Sequence, residues 1–189
     1  MLNFLTRHEI MDIVGLDKVF GDMFGRQQDI RDNLKPIDRR LKTLDKHIEQ
    51  SGNYKTYRRY KAQYEKLYAQ YETLKKATGI GAGRKAQKAL AAANEYHETY
   101  RTEIAIYDNA EQYLKGVLQQ HFDPKKQPPV TKWRAQRDKL TAERKQLDMD
   151  YTALKNEVKE AEQVRRSVYS ILRQDERERQ PRRTYDIER

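Results

Sequence analysis

Apolar residues recur at intervals of three and four along most of this chain, with charged and polar residues between them. In the first long stretch the apolar positions are Ile30, Leu34, Ile37, Leu41, Leu44 and Ile48. Alternating steps of four and three define a heptad pattern, which is typical of helices that pack along a narrow apolar seam. Pro36 lies inside this stretch and predicts either a kink in one long helix or the first turn of a second helix.

Local signals predict where the first helices begin and end. Thr6 and Glu9 have capping-box spacing, so we expect a short helix over about residues 6–12. Gly15 then breaks the helical pattern, and Asp17 is the expected N-cap of the next helix. Residues 51–53, with the sequence Ser-Gly-Asn, predict a turn that ends the heptad stretch.

Tyrosine takes most of the apolar positions in the next helix, which ends at the glycine-rich residues 79–83. Its seam is formed by Tyr57, Tyr60, Tyr64, Leu67, Tyr71 and Leu74. A third helix is predicted over about residues 84–121 and a fourth over about residues 132–175. Thr131 is the expected cap of the fourth helix, and Trp133 is the expected apolar anchor of its first turn. The proline-containing connector 123–129 separates the last two helices.

The predicted fold is all-α: an elongated antiparallel helical bundle or coiled coil of about four helices. Short connectors make sequential helices pack antiparallel. We expect residues 1–16 to form a short helix and loop, residues 17–175 to form the bundle, and residues 176–189 to form a flexible charged tail.

Composition agrees with a thin seam rather than a wide core. Of 189 residues, 37% are apolar and 36% are charged, and the mean hydropathy is -1.13. There is no cysteine, so disulfides and cysteine-based zinc sites are excluded. The first seven residues are interrupted by charge too early for a signal peptide, and no apolar run is long enough to span a membrane. We therefore expect a cytoplasmic protein that does not act on membranes.

Positive charge is concentrated in two segments. The formal net charge is +10, with +8 in residues 54–90, +6 in residues 124–145 and -4 in residues 91–123. An excess of this size favours polyanionic partners. Antiparallel packing would bring the two basic segments together, so we expect a patch formed by Arg58, Arg59, Lys61, Lys139, Arg144 and Lys145. The alternative is that these charges form ordinary solvated helix faces.

Aromatic and basic residues alternate over Tyr54–Lys61, a pattern that suits single-stranded nucleic acid, where rings stack on bases and cations hold the backbone. Tyr54 and Tyr68 lie outside the regular seam and are predicted to be at the surface. Residues 79–85 resemble a phosphate loop at a helix start, but Ala86 stands where a nucleotide-binding loop requires Ser or Thr. A simple interhelical turn is therefore favoured there.

The full predicted set of nucleic-acid-binding residues covers both basic segments. It comprises Tyr54, Arg58, Arg59, Lys61, Arg84, Lys85, Lys88, Arg134, Arg137, Lys139, Arg144 and Lys145.

No pattern of catalytic or metal-binding residues stands out. The four histidines, His8, His47, His97 and His121, include no pair spaced by three or four residues. Without such a pair, a metal site would need ligands from distant helices. We expect no catalytic residue, metal, cofactor or small-molecule substrate, and hence a protein that is not an enzyme.

Four segments resemble a known family: residues 34–48, 54–71, 94–113 and 122–129. They are similar to the helical C-terminal region that follows the nuclease domain in relaxases of Firmicutes mobile elements, and the resemblance extends over about residues 20–175. Those enzymes nick single-stranded DNA with an N-terminal tyrosine and a metal-binding histidine cluster. This chain carries neither motif, so the resemblance implies a mobile-element origin without nuclease activity.

Two functions follow as hypotheses. The first is a non-enzymatic DNA-binding accessory protein for plasmid mobilisation, contacting the nucleic-acid backbone through basic helix faces with low sequence specificity. The alternative is a protein-interaction module that binds a second copy or another protein, for example as an anti-CRISPR inhibitor of a host nuclease.

Overall fold

The computed structural model describes residues 2–179, and every regular element in that range is helical. The elements are α1 (Leu2–Arg7), α2 (Ile13–Lys76), α3 (Ala82–Thr99), α4 (Arg101–Leu118), a 3-10 helix (Gln119–His121) and α5 (Val130–Arg179). The predicted all-α class is confirmed for this part of the chain. The predicted tail 176–189 begins inside α5, and residues 180–189 lie outside the described residues.

The described chain divides into two compact units. Unit 1 combines Met1–Arg39 with Thr141–Arg189, and unit 2 is Arg40–Leu140. Helices α2 and α5 therefore contribute to both units, whereas α3 and α4 belong to unit 2 alone. Each unit has its own hydrophobic cluster.

The core of unit 1 joins α1, α2 and α5. It is formed by Phe4, Leu16, Met23, Ala161 and Val164. Helix α1 ends at Arg7, whereas the sequence predicts a first helix that begins at about residue 6. Glu9 has a φ of 52°, and the Ile10 N–H donates to the Leu5 carbonyl at 2.9 Å, which closes the helix with a Schellman-type cap.

Helix α2 is capped by Asp12 rather than by Asp17. The Gly15 N–H donates to Asp12 Oδ1 at 2.7 Å, so Gly15 lies in the first turn instead of breaking the helix. Asp17 serves the packing of α2 against α5, because its carboxylate accepts hydrogen bonds from Arg165 and Tyr169, each at 2.7 Å. The Tyr169 hydrogen bond and the positive charge of Arg165 lower the pKa of Asp17.

Two ion pairs show the register of α2 and α5 in unit 1. Arg165 pairs with Asp17 and Arg144 pairs with Asp38, each at 2.7 Å. Along each helix the two paired positions are three heptads apart, and their order is reversed between the helices. The α2 and α5 segments of unit 1 therefore run antiparallel.

Unit 2 has a core rich in aromatic residues. Its buried members are Leu44, Tyr54, Tyr107, Ala110, Leu114 and Trp133. Trp133 is the anchor at the start of α5, as its position in the sequence suggested. Ring contacts between Tyr64 and His97 and between Tyr54 and Tyr107 show that the second half of α2 runs antiparallel to α3 and α4.

Helix α2 continues through both positions where a break was considered. Pro36 lies inside it with its ring exposed to solvent, so the first alternative, one long helix, is the one observed. The turn predicted at 51–53 is wrong, because these residues are helical. The Ser51 hydroxyl donates to the His47 carbonyl at 2.8 Å and lies buried against the core. A small side chain that satisfies its own hydrogen bond allows packing to override the local turn preference.

The predicted third helix is divided at Tyr100 and begins two residues early. Tyr100 has non-helical dihedrals (φ -114°, ψ 26°) and separates α3 from α4. The loop before α3 is an interhelical turn in which Gly79 and Gly81 have φ values of 146° and 87°. Other residues adopt these conformations only with strain. Helix α5 starts at Val130, so Thr131 lies within its first turn rather than at its cap.

Within residues 2–179, no helix combines the length and the apolar character required to cross a bilayer.

Candidate nucleic-acid interface

The strongest concentration of unpaired positive charge lies where α2 turns back into α3. We call residues 54–90 the basic hairpin; it carries ten basic and two acidic residues. Of the ten cations, only Lys61 forms an ion pair with a carboxylate of the described chain. The others have no such partner within residues 2–179, so their charge is available to a ligand.

Tyr54 does not have the surface position predicted for it. Its side chain is 3% exposed, and its ring stacks on Tyr107 with centroids 5.0 Å apart. Its hydroxyl donates to the Pro124 carbonyl at 3.3 Å. The physical reason is that the buried face of α2 continues through His47 and Ser51 to Tyr54, in steps of three and four. Tyr54 therefore belongs to the core and is not available to stack on a base.

The other tyrosines of α2 form a half-buried row along the hairpin. Tyr60 contacts Tyr100 with ring centroids 4.9 Å apart, and Tyr64 contacts His97 of α3 at 5.0 Å. This confirms the predicted seam role of Tyr60 and Tyr64. Tyr68 is 41% exposed, in agreement with its predicted surface position.

The three predicted cations on α2 differ in their surroundings. Arg58 and Arg59 are exposed, and the Arg59 guanidinium lies 4.8 Å from the centre of the Tyr60 ring. Lys61 is bound to Asp108 at 2.9 Å. Burial lowers the pKa of Lys61, but the hydrogen bond and charge of Asp108 outweigh that effect and the pKa is raised. Lys61 thus joins α2 to α4 instead of pointing to a ligand.

The cations of α3 remain open. Arg84, Lys85 and Lys88 are all exposed in the first two turns of the helix. No side chain caps this helix start. The region combines mobile side-chain charges with the positive end of a helix, and both attract phosphate.

The predicted cations on the first part of α5 divide into free and paired groups. Arg134 and Lys139 are exposed, without a carboxylate partner in the described chain. Arg137 lies between two carboxylates, at 3.0 Å from Asp138 and 3.9 Å from Asp45. Its charge is therefore largely compensated within the protein.

Arg144 and Lys145 belong to unit 1, whereas the other members of the predicted patch belong to unit 2. Arg144 is bound to both Asp38 and Asp148, and the hydrogen bond to Asp38 raises its pKa. Lys145 is exposed. Arg144 thus links α2 to α5 in unit 1, and its charge is compensated by two carboxylates; its role in binding stays a prediction.

A small pocket in unit 2 brings together cations that are distant in sequence. We call it the connector pocket, because it lies between α2 and the connector that leads into α5. Its volume is about 140 Å³. It is lined by Ser51, Tyr54, Lys55, Arg58, Lys126, Gln127, Pro128, Val130 and Thr131.

Two of the pocket cations, Lys55 and Lys126, were not predicted as binding residues. Lys55 lies in the segment Tyr54–Lys61, where tyrosines alternate with basic residues, but the predicted binding set includes only other residues of that segment. Lys126 lies in the connector, which the sequence predicts only to separate the last two helices. The sequence shows only that both lysines lie in basic segments. It does not show that they meet, because the pocket depends on the path of the connector across α2.

The one buried histidine of unit 2 takes part in packing. His47 Nδ1 shares a hydrogen bond with the Tyr113 hydroxyl at 2.8 Å, and its ring lies 5.0 Å from that of Trp133. Burial lowers the pKa of His47, and the charge of Arg40 lowers it further. Across the described range, no group of three or more His, Asp or Glu side chains has a geometry that could hold a metal ion.

Comparison with protein-family models, with curated proteins and with solved structures gave no match to this chain.

Proposed function

We propose that this chain is a non-enzymatic DNA-binding protein that holds the nucleic-acid backbone through the basic hairpin. The observation that carries the proposal is the charge balance of the hairpin, where nine of ten cations have no carboxylate partner within residues 2–179. Such cations release counterions from DNA when they bind, which is the main source of sequence-independent affinity.

Separating the paired cations from the unpaired ones reduces the number of residues assigned to the interface. Lys61, Arg137 and Arg144 hold helices together, so the proposal assigns binding to Arg58, Arg59 and the α3 cations Arg84, Lys85 and Lys88, with Arg134 and Lys139 on α5. Lys145 is open but lies in unit 1. Because these side chains present charge rather than a recognition surface for base edges, the expected binding has low sequence specificity.

A role in plasmid mobilisation is part of this proposal and rests on the resemblance to the C-terminal region of relaxases. The absence of catalytic activity and a cytoplasmic location belong to the same proposal. The expectation of one elongated antiparallel bundle stays a prediction.

The test is DNA binding by fluorescence anisotropy, with labelled single-stranded and double-stranded oligonucleotides over a salt series. We expect log K to fall with log salt concentration with a slope of about -4, corresponding to four or five phosphate contacts. The informative variant reverses three charges of α3: Arg84→Glu, Lys85→Glu and Lys88→Glu. It should weaken binding by roughly 100-fold or more at moderate salt.

The matched control reverses three exposed cations of unit 1: Lys18→Glu, Arg26→Glu and Lys155→Glu. Both triple variants lower the formal net charge of +10 by the same six units. Equal losses of affinity in the two variants would mean that net charge, and not the hairpin, drives binding. Absence of binding by the unaltered chain at low salt would refute the proposal.

A second candidate function is a protein-interaction module, for example an inhibitor of a host nuclease. The observation that favours it is the set of large apolar side chains in unit 1 that are about half exposed. These are Phe24, Met149 and Ile171. If the DNA titration is negative, capture of a protein target becomes the leading hypothesis.

A further inference from the structure

The connector pocket has three cationic walls from two separate parts of the chain. Lys55 and Arg58 lie on consecutive turns of α2, and Lys126 lies on the connector that crosses them. No acidic residue lines the pocket. Three positive charges around a small volume repel one another, and an anion at the centre relieves that repulsion.

Two of the three pocket cations are not compensated from within the described chain. Lys55 and Arg58 form no ion pair with a carboxylate of residues 2–179. The side chain of Lys126 is 83% exposed and forms a long ion pair with Asp123 Oδ2 at 3.7 Å. The other oxygen of Asp123 accepts the Lys125 N–H at 2.9 Å, so this carboxylate is occupied in shaping the connector.

The walls of the pocket are fixed by packing rather than by the cations themselves. Tyr54 forms one wall, and its hydroxyl donates to the Pro124 carbonyl at 3.3 Å, which attaches the connector to α2. The Lys126 N–H donates to the Asp123 carbonyl at 3.0 Å and forms a turn beside this attachment. The backbone positions that carry the cations are thus fixed relative to one another before any ligand binds, which reduces the ordering cost of binding.

The start of α5 borders the same pocket, but the Val130 N–H donates to the Pro128 carbonyl at 2.8 Å and is not free for a ligand. Val130 and Thr131 line the pocket, and the helix is preceded by two prolines, which have no side chain able to cap the first N–H groups. The partial positive charge of the helix start has the same sign as the three side chains.

We propose that the connector pocket is the seat for a single phosphate group of a bound nucleic-acid strand. Arg58 donates from its planar fork, and Lys55 and Lys126 supply point charges on either side. This inference rests on the proposed DNA-binding function and adds a defined anchoring point to an interface that otherwise binds by distributed charge. Tetrahedral oxyanions suit the site because several donors converge on it from different directions.

The test compares neutral substitutions inside and outside the pocket. Arg58→Gln and Lys126→Gln each remove one charge from the pocket. The matched controls are Lys42→Gln on α2 and Lys125→Gln on the connector, which are exposed and lie outside both the pocket and the basic hairpin. We expect each pocket variant to weaken DNA binding by about 10-fold, the value of one charge-assisted hydrogen bond. The controls should change affinity by less than about 3-fold.

A second measurement uses inorganic phosphate as the probe. Phosphate should displace labelled DNA from the unaltered chain more effectively than sodium chloride at equal ionic strength. This difference should be lost in Arg58→Gln and Lys126→Gln and kept in the controls. Circular dichroism and Trp133 emission of each variant check that the fold is retained.

The outcomes separate the two proposals. If pocket and control variants bind DNA equally well, and phosphate competes no better than chloride, the phosphate seat is refuted while the DNA-binding function stands. If the unaltered chain binds no DNA at low salt, both proposals fail.

Discussion

Replacing Tyr54 with alanine gives the sharpest test of its assignment to the core. The side chain is 3% exposed, stacks on Tyr107 at 5.0 Å and meets the edge of Phe122 at 6.1 Å. Removing a buried aromatic side chain costs about 3–5 kcal/mol. The lost hydrogen bond to Pro124 accounts for about 1 kcal/mol of this range. We therefore expect Tyr54→Ala to lower the free energy of unfolding by about 4 kcal/mol.

Urea denaturation followed by Trp133 fluorescence measures this loss, because Trp133 and Tyr54 belong to the same core. With an m-value of about 2 kcal/mol/M, the midpoint should fall by about 2 M. Tyr54→Phe keeps the ring and should lose only about 1 kcal/mol. Tyr68→Ala, which removes an exposed ring from the same helix, should change stability by less than about 1 kcal/mol.

DNA affinity decides between the core position and the stacking role first predicted for Tyr54. Tyr54→Phe should bind DNA as the unaltered chain does. A core position for Tyr54 is refuted if Tyr54→Ala is as stable as Tyr68→Ala and binds DNA more weakly, because the ring would then face the ligand.

Two further predictions concern pH and backbone conformation. Because burial lowers the pKa of His47 below its usual 6.5, the unfolded chain binds more protons between the two values. The free energy of unfolding should fall as pH decreases through about 6.5, and urea titrations at about pH 7.5 and 5.5 should show a smaller fall in His47→Gln. Gly81→Ala should destabilise the chain by about 1 kcal/mol because its φ is positive, whereas Gly83→Ala, inside α3 with open space around it, should stabilise it by about 0.5–1 kcal/mol. Thermal melts of both variants test the opposite signs.

The helical class and most of the seam could be predicted from the sequence because heptad spacing directly reflects helix packing. The spacing fails where polar residues occupy core positions. His47 and Ser51 are buried, so the apolar pattern is interrupted although the packed face is continuous. Because residues 51–53 are predicted to form a turn, the predicted seam of the next helix begins at Tyr57. Tyr54 is therefore predicted to lie at the surface.

The sequence predicts the charge of the candidate site but not which of its cations form ion pairs with carboxylates of the same chain. Residues 54–90 are basic in any arrangement, and the structure leaves most of that charge open. Whether an arginine meets an aspartate depends on helix register, which spacing within one helix does not determine. Arg137 and Arg144 were predicted to bind DNA because Asp45 and Asp38, far away in sequence, could not be placed beside them.

The register of α2 and α5 in unit 1 has a consequence for how this chain changes during evolution. A shift of one heptad in one direction would place Asp38 opposite Tyr151 and Asp17 opposite Leu172. A shift in the other direction would place Asp38 opposite Arg137 and Asp17 opposite Val158. In both cases at least one aspartate would lose its arginine. Loss of charge at one member of a pair then favours a compensating change at the other. Positions 17 and 165, and positions 38 and 144, should vary together among descendants of this protein.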